Sequence, residues 1–144
     1  MAIKEFRGEF AFLSSFFPSI ILDGGRAFPT AEHAFQVEKT LDPVWRNRIQ
    51  FAGTPGQAKR LGRRAPLRPD WDTIKLAHMA RIIRLKFTQH PVLAARLLQT
   101  GEEELIEGNT WNDRFWGICN GVGENHLGQL LMQLRTELRK EVTL

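Results

Sequence analysis

Apolar positions along this chain follow two rhythms, and the change between them marks out the fold. Up to about residue 28 the chain reads as extended. Within it "IILDGGRAF" sets Asp23-Gly24-Gly25 between two short apolar runs, a hairpin signal because such turns need positive φ. From Thr30 onward the spacing is helical. Thr30 can N-cap a helix running to about Thr40, with Glu32 in its first turn where the helix dipole favours an acid. Asp42-Pro43 starts the next helix with proline at its first position. Thr54-Pro55-Gly56-Gln57 reads as a capping box for a short helix ending near Gly62. Asp70 then caps a longer helix to about Thr88, with Leu76, Ala80, Ile83 and Phe87 as its apolar stripe. Pro91 opens another helix, which stops before Gly101. The last helix starts near Asn125 and carries Leu127, Leu130, Leu131, Leu134 and Leu138 on its buried side. The pattern predicts an α+β protein, predominantly helical, with a small N-terminal β element. No repeat or linker interrupts residues 1–144, so a single domain is expected.

Two stretches depart from a simple core-and-surface pattern. In the helix that starts at Thr30, Ala31, Ala34, Phe35, Val37 and Leu41 share one broad arc, at about 100° per residue. Glu32, Gln36 and Lys39 share a second, narrow arc. That arc is either a solvent-facing stripe or an acid and an amine turned toward one site, the pairing that acid/base or amine chemistry uses. Glu38 falls inside the apolar arc, so its carboxylate calls for a buried or partnered setting. The second stretch, "EGNTWNDRFWG" at residues 107–117, has neither helical nor strand periodicity. It still holds two tryptophans, whose rings are normally buried.

Charge and cysteine content narrow the chemistry. The net charge is +4, from 20 basic and 16 acidic residues, which favours anionic partners. Five of the basic residues lie between Lys59 and Pro69, in a run that suits either a solvated helix end or phosphate contacts. Cys119 is the only cysteine, so no intramolecular disulfide forms and a cysteine-based zinc site is excluded. His33, His78, His90 and His126 lack metal-binding spacing, and no G-x-S-x-G elbow occurs; neither a metal nor another cofactor is expected. "GICNGVGENHLG" is glycine-rich before a helix, and serves either as a phosphate cradle or as a turn needing positive φ. No apolar run nears the roughly 20 residues that span a bilayer, and the N-terminus lacks a signal-peptide core. A soluble, cytoplasmic protein without a membrane partner is expected.

Taken in order, "EFAFLSSFFPS", "FPTAEHAFQVEKT", "AGTPGQAKRLGRR", "RPDWDTIKLAHMARIIRLKF", "LLQTGEEELIEGNTWNDRFWG" and "GVGENHLGQLLMQLR" resemble the signature blocks of the NADAR family, the YbiA-like N-glycosidases. The resemblance covers nearly the whole chain. It implies a compact, mostly helical domain that cleaves the bond between a ribosyl phosphate and an amino-linked base. Two substrate classes go with the family: ribosylamino-pyrimidine intermediates of riboflavin synthesis, and ADP-ribosylated guanine in DNA or RNA, whose modification the enzyme reverses. Partner toxins are not legible in a sequence.

The resemblance also points to a lysine Schiff base. That role falls on Lys39, with Lys59 as second choice, and Glu32 with Asp113 or Glu107 would shuttle protons. Trp111 and Trp116 would wall the site while Asn109 and Asp113 orient hydroxyls, although Trp116 can equally close the core. Arg7, Arg60 and the turn holding Gly123 and Asn125 are expected at the phosphates. Gly8, Ser14, His33 and Gln36 complete the expected binding set. The family usually has Asn and Tyr where this chain has Ser15 and Phe17, which bears on substrate preference. Two other functions compete: a non-catalytic module for ADP-ribose or nucleic acid, and a basic nucleic-acid binder without a pocket. The aromatic and polar mixture of 107–117 argues against the last.

Overall fold

The computed structural model describes residues 2–143. The chain forms two units, one from Ser15–Gln89 and the other from Met1–Ser14 with His90–Leu144. The expected class holds: the α-helices together with the 3-10 turns carry just over half of the chain, and the strands are few and short.

The chain opens with β1 (Ala2–Ile3) and then a 3-10 turn, Gly8–Leu13. The turn corrects the expectation of an extended segment. Gly8 takes φ 58, which ends the extended course, and the tight turn that follows buries Phe12 and Leu13 together.

In the Ser15–Gln89 unit, β2 (Pro18–Asp23) and β3 (Arg26–Thr30) form the predicted hairpin, with Asp23 opposite Arg26. Gly24 and Gly25 fill the two-residue turn at φ 58 and 80, the conformation that made them legible. Ile21 and Phe28 point inward from the hairpin, while Ile20 and Leu22 face solvent. At Thr30 the strand passes into α1 (Ala31–Gln36), and the Thr30 hydroxyl accepts from the His33 N–H. The helix then tightens into a 3-10 turn, Val37–Lys39, instead of running on to Thr40. Leu41 therefore lies beyond the helix and is exposed, not part of its core arc.

Caps set the next two helices. The Asp42 carboxylate accepts from the N–H groups of Val44 and Trp45 at the start of α2 (Pro43–Gln50). The Thr54 hydroxyl accepts from Gln57 N–H at the start of α3 (Pro55–Arg64), and Gln57 Oε1 reaches back to Gly53 N–H at 2.9 Å. Helix α3 runs through Gly62 rather than stopping there. α4 (Trp71–Gln89) buries Trp71, Met79, Ile82, Ile83, Lys86 and Phe87. Its buried stripe is rotated from the predicted one: Ile83 and Phe87 belong to it, whereas Leu76 is exposed and Ala80 is half-buried.

The other unit continues with α5 (Pro91–Gln99) and three short strands, β4 (Glu104–Leu105), β5 (Gly108–Asn109) and β6 (Ile118–Cys119). β4 pairs with β1, and β5 with β6, both in parallel. α6 (His126–Thr143) closes it, with Leu127, Leu131, Leu134 and Leu138 buried and Leu130 partly so. Among the described residues no helix is long and apolar enough to cross a membrane.

Candidate active site

The polar arc of α1 lies inside the protein. All six residues of the helix are buried, with Glu32 at 7%, Gln36 at 3% and His33 at 1% exposure. A helix of under two turns that packs against β3, α3 and α4 has no side left for water. Its polar groups must then find partners. Gln36 Nε2 donates to Glu32 Oε1 at 2.7 Å, and the Glu32 N–H donates to the Ser15 carbonyl at 3.0 Å. Gln36 in turn lies against Gly62, where a Cβ would overlap its amide oxygen and come within 2.9 Å of its Cδ. Gly62 is glycine because Gln36 needs that space.

His33 was expected at the ligand, and the structure gives it a structural task instead. Nε2 lies 2.9 Å from the Ala52 carbonyl and Nδ1 lies 2.8 Å from the Thr30 hydroxyl. A carbonyl only accepts, so Nε2 carries the proton and Nδ1 accepts from Thr30. Burial lowers the His33 pKa, partly opposed by the Ala52 bond, which keeps this neutral tautomer.

Lys39 sits at the end of the 3-10 turn and is half-buried. Desolvation depresses its pKa; Glu32 opposes that shift, and Arg63, Lys59 and Lys75 add to it. The amine is thus enriched in its neutral, nucleophilic form, with a carboxylate close enough to feel its charge. Arg63 and Lys75 were not expected here. Arg63 follows Lys59 by one helical turn, a spacing that could have placed both on this face. Arg60, expected at a phosphate, is exposed on α3.

Glu38 meets the expectation of a partnered carboxylate, with Arg46 at 3.7 Å, Arg68 at 4.0 Å, His78 at 3.8 Å and Arg81 at 3.8 Å. Lys86 is a second perturbed lysine that the pattern missed. It is only 1% exposed, and burial pushes its pKa down to about 7. Its Nζ lies 5.7 Å from the Phe17 ring centroid and 5.3 Å from that of Phe87.

The other unit builds the 107–117 segment from side-chain to main-chain bonds. Asn109 Nδ2 donates to the Asp113 carbonyl at 2.8 Å, and the Asp113 N–H returns to Asn109 Oδ1 at 3.0 Å. Asp113 Oδ1 accepts from the N–H groups of Phe115 and Trp116, at 3.1 and 2.9 Å. The loop thereby turns its carbonyls onto the start of α6. Arg114, Phe115, Trp116 and Gly117 accept from the N–H groups of Glu124, His126, Leu127 and Asn125 respectively. Of these, Glu124 and Asn125 belong to the "GVGEN" turn expected as a phosphate cradle, and both of their N–H groups are taken.

Asn125 is likewise committed: its amide accepts from Glu107 N–H at 2.9 Å and donates to the Leu105 carbonyl at 2.9 Å. Gly123, at φ 155, packs against the Gly117 backbone too closely for any side chain. Glu107 Oε2 accepts from Asn109 Nδ2 at 3.2 Å. Trp116 is half-buried and lies edge-on to Phe115 and to His126, while Trp111 is 53% exposed. Arg7 faces solvent beside Glu5 at 4.0 Å, Gly8 opens the first 3-10 turn, and Ser14 caps its end. Among the described residues no three His, Cys, Asp or Glu side chains are placed to hold a metal ion.

The NADAR domain model matches residues 4–139. The chain belongs to the NADAR family. It is 44% identical over 120 residues to the N-glycosidase YbiA of Shigella boydii, covering 81% of this chain and 74% of that protein. It is 39% identical over 132 residues to a riboflavin biosynthesis protein of Vibrio vulnificus, covering 90% of this chain and 36% of the relative. The NMR structure of E. coli YbiA superposes with a TM-score of 0.88 at 37% identity, covering 99% of this chain and 86% of that one. This NADAR chain is therefore an enzyme of the hydrolase class, in a family whose relatives include proteins named N-glycosidases.

Proposed function

We propose that the protein hydrolyses the N-glycosidic bond joining a phosphoribosyl or ADP-ribosyl group to the exocyclic amine of a base, through a Schiff base on Lys39. The observation that carries this reading is a half-buried lysine of lowered pKa set beside a buried carboxylate, Glu32. An exocyclic linkage retains a hydrogen on nitrogen, so the ribose ring can open to leave C1 as a protonated imine. Neutral Lys39 adds to C1. A proton moves from the lysine nitrogen to the base nitrogen by way of Glu32, and the base amine departs. Water then adds to the lysine imine, releasing the sugar aldehyde and restoring the amine. Lys59, Arg63 and Lys75 would favour a substrate phosphate near Lys39, in place of the donors expected from Arg60 and "GVGEN". Ser15 Oγ and Gln36 Oε1 are buried without a hydrogen-bond partner among the described residues, and both belong to residues that hold Glu32. Sugar hydroxyls would satisfy them.

Lys86 is the competing amine, but at 1% exposure it offers no approach to a substrate. The test is reductive trapping. The protein is incubated with a hydride donor and either an oligonucleotide bearing ADP-ribosylated guanine or a ribosylamino-pyrimidine phosphate, and the adduct is mapped. An adduct on Lys39 is expected, and the substrate that yields it separates nucleic acid from free metabolite. Lys39→Ala should abolish turnover with the fold intact; full activity in that variant would refute the role. Because only the neutral amine attacks, kcat should rise with pH through the Lys39 pKa, at lower pH than for an ordinary lysine. Release of the base in wild type with no adduct would leave a glycosidase that uses direct water attack.

A further inference from the structure

The turn that carries Lys39 is held in an unusual way. Helix α1 ends at Gln36 and the chain leaves helical geometry at Thr40, whose φ is −131. The carbonyls of residues 38–40 therefore have no following turn of helix to supply a donor. Two arginines supply the donors. Arg46 Nη1, reaching back from α2, donates to the Val37 carbonyl at 2.9 Å and to the Thr40 carbonyl at 3.0 Å. The Arg68 N–H donates to the Lys39 carbonyl at 2.8 Å, and Arg68 Nη1 lies 3.5 Å from the Glu38 carbonyl. Four consecutive carbonyls are accounted for, with Arg46 spanning the outer two. Both guanidiniums also face the Glu38 carboxylate between them.

We propose that Arg46 is a positioning residue for the Lys39 amine: its single nitrogen brackets the turn at Val37 and Thr40 and so fixes the direction in which the lysine side chain leaves the backbone. The proposal rests on Lys39 being the nucleophile. A guanidinium is suited to this task because its N–H directions are rigid, whereas an ammonium is a rotating point charge. Glu38 holds the guanidinium plane in place through the same turn. Loss of the bracket would let the turn breathe and let water reach the amine, with its surroundings otherwise unchanged: Glu32 on α1, Lys59 and Arg63 on α3, and Lys75 on α4. Misplacing a reacting group by about an ångström can cost on the order of 10²-fold in rate.

The test compares wild type, Arg46→Met and Arg46→Lys. Each is trapped with ribose 5-phosphate and cyanoborohydride from about pH 6 to about pH 10, with peptide mapping of Lys39, Lys59 and Lys75. Circular dichroism verifies the fold. In wild type, Lys39 should react first near neutrality. In Arg46→Met that preference should fall on the order of 10²-fold, and the onset of Lys39 trapping should move to higher pH as the amine becomes hydrated. Arg46→Lys, which folds with its charge retained, should lose most of the preference as well. A purely structural arginine would lower stability without changing which lysine reacts or the pH at which it does. Unchanged preference and onset in Arg46→Lys overturn the bracket in favour of charge alone, and unchanged values in Arg46→Met overturn positioning altogether. Absence of any Lys39 adduct in wild type sinks the nucleophile reading, and the proposal with it.

Discussion

Lys86→Met tests whether a lysine in the middle of the α4 stripe is neutral in the folded protein. Burial alone takes its pKa from 10.5 to about 7. Between these values the unfolded chain holds the proton and the folded chain does not. Stability must then rise with pH, because the unfolded state binds more protons. Each pKa unit corresponds to about 1.4 kcal/mol, so the titration contributes a gain of roughly 2 kcal/mol between pH 7 and pH 9. Methionine matches the length of the lysine stem and does not titrate.

The assay is urea unfolding of both proteins at about pH 7, 8 and 9. The wild type should gain about 2 kcal/mol on Lys86→Met across that range. The sign is the informative part: a group with a depressed basic pKa destabilises the fold on the acid side and ceases to do so as the pH rises. If the two proteins keep a constant difference, Lys86 stays charged in the fold. The burial argument, which also underlies the lowered Lys39 pKa, would then be wrong for α4.

Two further outcomes follow from close packing. Gly62→Ala should cost roughly 1–3 kcal/mol, because the new methyl overlaps the Gln36 amide, and should lower kcat by releasing Glu32. Adding Gln36→Ala should restore most of the stability but not the turnover, measured by thermal unfolding and steady-state kinetics; wild-type activity in Gly62→Ala would break the link from α3 to Glu32. Asn125→Ala should cost roughly 3 kcal/mol by chemical denaturation. It strands the Glu107 N–H and the Leu105 carbonyl and places alanine at φ 54. A loss below roughly 1 kcal/mol would mean that water replaces the amide.

Local signals in the sequence transferred well to the structure. Asp23-Gly24-Gly25, the caps at Thr30, Asp42 and Thr54, and the proline starts at Pro43, Pro55 and Pro91 each encode their geometry in two to four neighbouring residues. Long-range features did not transfer. Nothing near Gly8 marks a 3-10 turn, because its apolar pattern is too short to carry a period. The α4 stripe turns toward Lys86, a residue whose charge assigns it to the surface but which is only 1% exposed, with Nζ near the Phe17 and Phe87 rings. In the "GVGEN" turn, the carbonyls that take the Glu124 and Asn125 N–H groups belong to Arg114 and Gly117, a pairing no spacing rule announces.

The α1 helix shows why a site can be half legible. Periodicity placed Glu32, Gln36 and Lys39 on one face, and the structure keeps Glu32 and Gln36 in hydrogen-bond contact. Periodicity could not say what that face meets, since one helix's angular pattern carries no information about its neighbours. Once α3 and α4 cover it, a polar face becomes expensive unless each group is partnered. His33 is partnered by Thr30 and Ala52, and Glu32 by Gln36 and Ser15, which leaves the Ser15 hydroxyl and the Gln36 amide oxygen unmatched among the described residues. A helix needed only for packing would use apolar residues at those positions, because a well-packed apolar core is at least as stable as a partly satisfied polar one. Stability therefore gives no reason for this arrangement, whereas an acid that must be held still beside a lysine does.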